Sequence, residues 1–329
     1  MSRSLFAAVL ALGAVGAIPA AAATAATPSP SAPSARPEKA STPKISRVTV
    51  RGIEYAYQVR GRGEPLLVLH GGLGNSDMFE PVMPLLTANR QIIAVDLQGH
   101  GRSSLGKTPI RCEAIADDVA AVLKHAGRSK ADVFGYSFGG CVALRLAIQH
   151  PQSVRRVVLV STPYADDGWY AEMKPQQAAV SSDLMPMMKD TPMYKSYLAV
   201  APKDEFPQLL DAMGDMMRHK YDWSADVAKL AKSNVTVMLV YADADMVRPE
   251  HEVKFYQLLG GGLKDAGWGR ENMPRNRLAI LPDLTHYDIF LSPRLAETVL
   301  PFLNAKDGEK SAIKSWAEQV KEPSGAGRK

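Results

Sequence analysis

The feature that most limits the fold of this chain is a rhythm of short apolar runs alternating with helical stretches. PLLVLH (65–70) and QIIAVD (91–96) are continuous apolar runs, the pattern of strands buried on both faces. ADVFGYS (131–137), VRRVVLVS (154–161), VTVMLVYAD (235–243) and RLAILP (277–282) continue the strand series. Helical patterns fall between them, at 77–89, 117–126, 138–150, 249–261 and 292–304. Strands that alternate with helices predict an α/β fold, a mostly parallel, doubly wound sheet covered on both faces. Ahead of it, ISRVTV (45–50) and IEYAYQV (53–59) alternate like antiparallel strands around an Arg51-Gly52 turn.

One stretch breaks the rhythm. Residues 163–233 are helical in character and hold eight of the fourteen methionines, with eight aromatics that include Trp169, Tyr170, Tyr197 and Trp223. Such a segment reads either as a small satellite core or as a helical cap (lid) with an adaptable apolar underside over a pocket. The Gly-rich stretch 260–276 predicts a surface loop before the last strand.

Both ends differ from this core. Residues 5–23 are apolar and uncharged, follow Arg3, and end in small residues at Ala21 and Ala23, the pattern of a signal peptide spanning 1–23. Export to the periplasm or medium is therefore expected, with no stable membrane insertion after cleavage. Residues 24–44 are rich in Pro, Ser and Ala and read as a disordered linker. The domain then runs 45–304, with a polar tail over 305–329. A net charge of +5 spread over scattered lysines and arginines gives no basic stripe and excludes a nucleic-acid footprint. Two cysteines, Cys112 and Cys141, make no disulfide framework; their pairing is left open, and Cys141 suits a small buried apolar position.

The chemistry centres on Gly135-Tyr136-Ser137-Phe138-Gly139, a G-x-S-x-G run at a strand-to-helix junction. There a tight turn raises the serine hydroxyl above the sheet edge, and glycines leave room for strand and helix to approach. A serine needs a base, and the base an acid. Among seven histidines, His125 and His150 end helices, His251 opens one, His219 falls in the cap, and His70 and His100 sit in early loops. His286, following the last strand, emerges at the same strand ends as Ser137 and is the expected base. Asp245 is the expected acid, with Asp243 the alternative two positions earlier. An oxyanion would be met by the N–H of Phe138 and by one from HGGLGNSD (70–77), Gly72 or else Leu73. HGGLGNS misses the G-x-G-x-x-G spacing, and no zinc pattern occurs, so neither cofactor nor metal is expected.

LVLHGGLGN, IIAVDLQGHGRSS, DVFGYSFGG, LVYADADMVRPEH and LPDLTHYDIF follow one another in an order that resembles the α/β-hydrolase superfamily, over about 64–304. The resemblance implies a nucleophile at Ser137, a base at His286, an acid at Asp245, a helical cap at the break, and a fold-shaping role for Gly99–Ser103. Ala242 stands where the family's acid turn carries glycine. A serine nucleophile turns the expectation away from dehalogenases and epoxide hydrolases. It points to a carboxylic ester hydrolase acting through an acyl-enzyme on a small apolar or acyl-chain ester. A lactonase, amidase, C–C hydrolase or acyltransferase would use the same trio, and a silent binding member would keep the fold without the reaction.

Overall fold

The computed structural model describes residues 44–306 and 315–316. The expected signal peptide, nearly all of the linker and most of the polar tail lie outside the described residues. Among the described residues no helix is long and apolar enough to cross a membrane.

Eight strands form one sheet in the order β1-β2-β4-β3-β5-β6-β7-β8. Strands β1 (Ile45–Val50) and β2 (Ile53–Gly61) pair antiparallel through Arg51 and Gly52. Both turn residues have positive φ, 46° and 80°, which matches the twist of a two-residue hairpin. Strands β3 (Glu64–Leu69), β4 (Arg90–Val95), β5 (Ala131–Tyr136), β6 (Val154–Val160), β7 (Thr236–Ala244) and β8 (Arg277–Thr285) run parallel. From β3 the chain crosses to β4 on one side, while β5 lies on the other. Loops leaving β3 and β5 therefore diverge and open a crevice at the strand carboxyl ends.

The continuous apolar runs are explained by burial on both faces. Leu67, Leu69, Val133 and Leu159 face one core; Leu66, Val68, Phe134 and Val158 face the other. The first core is covered by α2 (Cys112–His125) and α3 (Phe138–Gln149), the second by α1 (Met83–Thr87) and α10 (Pro293–Asn304). Two helices differ from the sequence expectation. The stretch 77–89 divides into a 3-10 turn, Ser76–Phe79, and the short α1, because Pro81 and Pro84 have no N–H to carry one helix through. Helix α2 begins at Cys112, five residues before the expected 117, with Glu113 in its first turn.

Between β6 and β7 stand α4 (Met173–Ala178), α5 (Met185–Met188), α6 (Pro192–Val200), α7 (Phe206–Arg218) and α8 (Ser224–Leu230). Helix α7 buries Phe206, Leu209, Leu210 and Met213, one helical stripe, and each such side chain contributes about 1.5–3 kcal/mol. These residues join the apolar cluster beneath α2 and α3, so the insertion continues the main core instead of forming a separate one. Helix α9 (Pro249–Leu258) adds Phe255 to that cluster.

Candidate active site

Ser137 follows β5 directly and has φ 52° and ψ −116°, a conformation that costs a residue with a Cβ about 1–3 kcal/mol. The fold holds it there from both sides. Its N–H donates to the Val160 carbonyl at 2.9 Å, and its carbonyl accepts from Cys141 N–H at 3.0 Å. A Cβ on Gly135 would strike the Gly139 carbonyl, and one on Gly139 would strike the carbonyls of Leu69 and His70. Both glycines of the pentapeptide are therefore set by close approach, which draws the Ser137-bearing turn against β3. Helix α3 starts at Phe138, so its free N–H groups and positive dipole end face the crevice.

His286 stands just past β8, with Nε2 3.1 Å from Ser137 Oγ and Nδ1 2.8 Å from Asp245 Oδ1. With Nδ1–H donating to the carboxylate, Nε2 is left as acceptor for the serine O–H. The ring is buried, and its backbone is fastened by Tyr136, whose hydroxyl donates to the His286 carbonyl at 2.5 Å. Trp169 meets the imidazole edge-on at 6.1 Å.

Asp245 is buried and met by donors on both oxygens. Oδ1 accepts from the N–H of Met246 at 2.7 Å and of Val247 at 3.3 Å. Oδ2 accepts from Ala242 N–H at 3.2 Å and from the Ser161 hydroxyl. Burial by itself would raise this carboxyl, but the adjacent His286, by charge and hydrogen bond, and the Ser161 and Ala242 donors outweigh it and hold the group below its ordinary range. Asp243 is exposed and accepts from Leu284 N–H at 3.2 Å, bracing the junction of β7 and β8.

Gly72 and Leu73 line the cavity beside Phe138. Gly74 N–H closes a turn onto the Gly71 carbonyl at 3.2 Å, and Leu73 within it has φ 58°. The loop is set by its histidine: His70 donates from Nδ1 to the Gly71 carbonyl at 2.8 Å and accepts Leu97 N–H at Nε2, 2.9 Å. His100 stacks on Phe138 at 5.5 Å, and burial pushes its pKa down to about 3. Both rings are neutral loop fasteners. His125 meets the Tyr57 hydroxyl at 3.0 Å and His150 meets Asp117 at 2.8 Å, while His251 stacks on Tyr164 at 4.0 Å. Of the remaining six, only His219, at the end of α7, lines the cavity.

The cavity over Ser137 measures about 170 Å³ and is walled largely by apolar groups of the insertion, among them Trp169, Met173, Val180, Met213, Met216 and Trp223. Three supporting groups escape sequence reasoning. Ser161, Tyr136 and Trp169 act on the trio from 84, 150 and 117 residues away, separations that no local pattern reveals.

A family model described as alpha/beta hydrolase fold matches residues 64–190. The 2-(acetamidomethylene)succinate hydrolase of Mesorhizobium japonicum is 35% identical over 121 residues, covering 36% of this chain and 44% of that protein. A pimeloyl-[acyl-carrier protein] methyl ester esterase of Neisseria meningitidis is 42% identical over 95 residues, covering 29% of this chain and 35% of its own length. The matched stretch thus spans less than half of either relative. In three dimensions the enol-lactonase of Burkholderia xenovorans superposes with a TM-score of 0.60 at 18% identity, over 79% of this chain and all of that one. At that identity the likeness speaks for the fold.

Proposed function

Because the chain belongs to the α/β-hydrolase fold superfamily, a family of hydrolases, we propose that it is a serine hydrolase that cleaves carboxylic esters through an acyl-enzyme. The observation that carries this reading is the unbroken hydrogen-bond chain Ser137–His286–Asp245 opening onto an apolar cavity.

Ser137 Oγ attacks the ester carbonyl carbon as His286 Nε2 takes its proton. Asp245 keeps the ring in the required tautomer and steadies the imidazolium. The oxygen that becomes negative is met by the N–H groups of Phe138 and Gly72, each such donor being worth about 10²–10³ in rate. His286 then returns the proton to the departing alcohol. Water, activated by the same nitrogen, releases the acid and restores Ser137. The methionine and tryptophan walls favour an uncharged ester with a small apolar or acyl-chain group, since thioether side chains adapt to varied chain shapes.

A fluorophosphonate probe tests the assignment. The expected result is a single covalent adduct on the tryptic peptide carrying Ser137, absent in Ser137→Ala. A folded protein that takes no label and cleaves no short-chain nitrophenyl ester would make it a silent member of the fold.

A further inference from the structure

The two cysteines, 29 positions apart in sequence, meet in the fold. Cys112 is the first residue of α2, and Cys141 lies in the first turn of α3, one turn beyond Ser137. The two thiols lie close enough to act on one another electrostatically, and Tyr221 of the insertion lines the same cavity beside them. Both are free thiols, almost wholly buried, yet both contribute to the cavity wall, so a reagent small enough to enter the cavity meets the pair. No other cysteine exists in the chain to compete for either partner.

We propose that Cys112 and Cys141 form an oxidisable dithiol site, which a small-molecule disulfide closes to an intramolecular disulfide joining α2 to α3 behind the nucleophile. One protein thiolate attacks a sulfur of the reagent, making a mixed disulfide and releasing one small thiol. The second protein thiolate attacks the protein sulfur of that mixed disulfide and releases the other small thiol. Two cysteines are oxidised by two electrons, one reagent disulfide is reduced to two thiols, and the two protons lost by the protein pass to the departing thiolates. The neighbouring Cys141, burial and the Glu113 carboxylate outweigh Arg145 and hold the Cys112 thiol well above its ordinary range, so closure is slow at neutral pH and quickens in mild alkali. The bond encloses residues 112–141, a loop long enough that its closure removes substantial freedom from the unfolded chain. Neither sulfur belongs to the reacting trio, so this inference stands or falls separately from the hydrolase reading.

The test uses the folded, full-length protein, held in mildly alkaline buffer with hydroxyethyl disulfide or with dithiothreitol, then blocked with iodoacetamide and digested by trypsin without reduction. Expected after oxidation is a linked pair of peptides, 112–124 and 131–145, lighter by two hydrogens than their sum. The melting temperature should rise by about 5–10 °C and return on reduction. Cys112→Ser and Cys141→Ser should each abolish the link and the redox dependence; should either fail to fold, the comparison of oxidised with reduced wild type decides alone. Recovery of both cysteines alkylated after oxidation, of one cysteine arrested as a mixed disulfide, or of a link between two chains would each overturn the proposal.

Discussion

Asp243 and Asp245 carry the same side chain two residues apart, and the fold gives them opposite surroundings. One braces a strand junction in solvent; the other is buried with donors on both oxygens and an imidazole on one of them. An amide at 245 would set an NH2 group against backbone N–H donors in either orientation, so Asp245→Asn disturbs both charge and tautomer. Its expected effect is a fall of about 10³–10⁴ in kcat, against less than tenfold for Asp243→Asn, measured on a short-chain nitrophenyl ester. The reverse ranking would move the acid to 243. From sequence the pair was ordered by which stood further into the loop and by the acid turn that the family resemblance implies. Ser137 and His286 were easier to single out, because each follows a strand whose apolar run marks its end. The choice between Gly72 and Leu73 depends on a turn with φ 58° at Leu73, and nothing in the letters HGGLGNS encodes that angle.

Strands were legible because a doubly covered sheet forces apolar residues at every position, odd and even alike. Helices were less so. The start of α2 is hidden because Arg111, Glu113 and Asp117 interrupt the apolar period, and α1 is cut short by prolines that a hydrophobic pattern ignores. The arrangement of the insertion was not readable, since its short helices owe their positions to distant contacts, such as Met213 over Gly72, where an added Cβ would come within 3.0 Å of the thioether methyl. The strand–turn–helix element itself depends on Gly139. Gly139→Ala would push a methyl into the carbonyls of Leu69 and His70, forcing α3 away from β3 and the HGGLGNS loop away from Ser137. We expect a loss of about 1–3 kcal/mol, read as a melting point lower by about 2–12 °C, together with a larger loss of ester cleavage than of fold. An unaltered melting curve with full activity would show that the close approach is not needed.

At the scale of the whole molecule, one described carboxyl at odds with its surroundings is Glu252 on α9. It is buried, and desolvation, with Asp245 and Glu250 adding repulsion, pushes its pKa up to about 8. The unfolded chain ionises this group near pH 4.3, whereas the folded chain keeps it protonated to about 8. Folded protein therefore binds more protons through that window, and stability falls as pH rises across it, levelling above it. Glu252→Gln is neutral in both states and removes the dependence. Its melting temperature relative to wild type should climb from pH 5 to pH 8 and then stay constant; a gap that does not change with pH would mean the carboxyl is ionised in the fold. The layout of the sheet also has a consequence in time. Ser137 and Asp245 ride on interior strands, but His286 hangs from β8, the outermost and most exposed of the parallel set. A ribosome making this chain delivers the hydroxyl first, the carboxylate next and the imidazole last. Until that final edge docks, Ser137 of the nascent polypeptide lacks the imidazole that stands beside it in the finished fold.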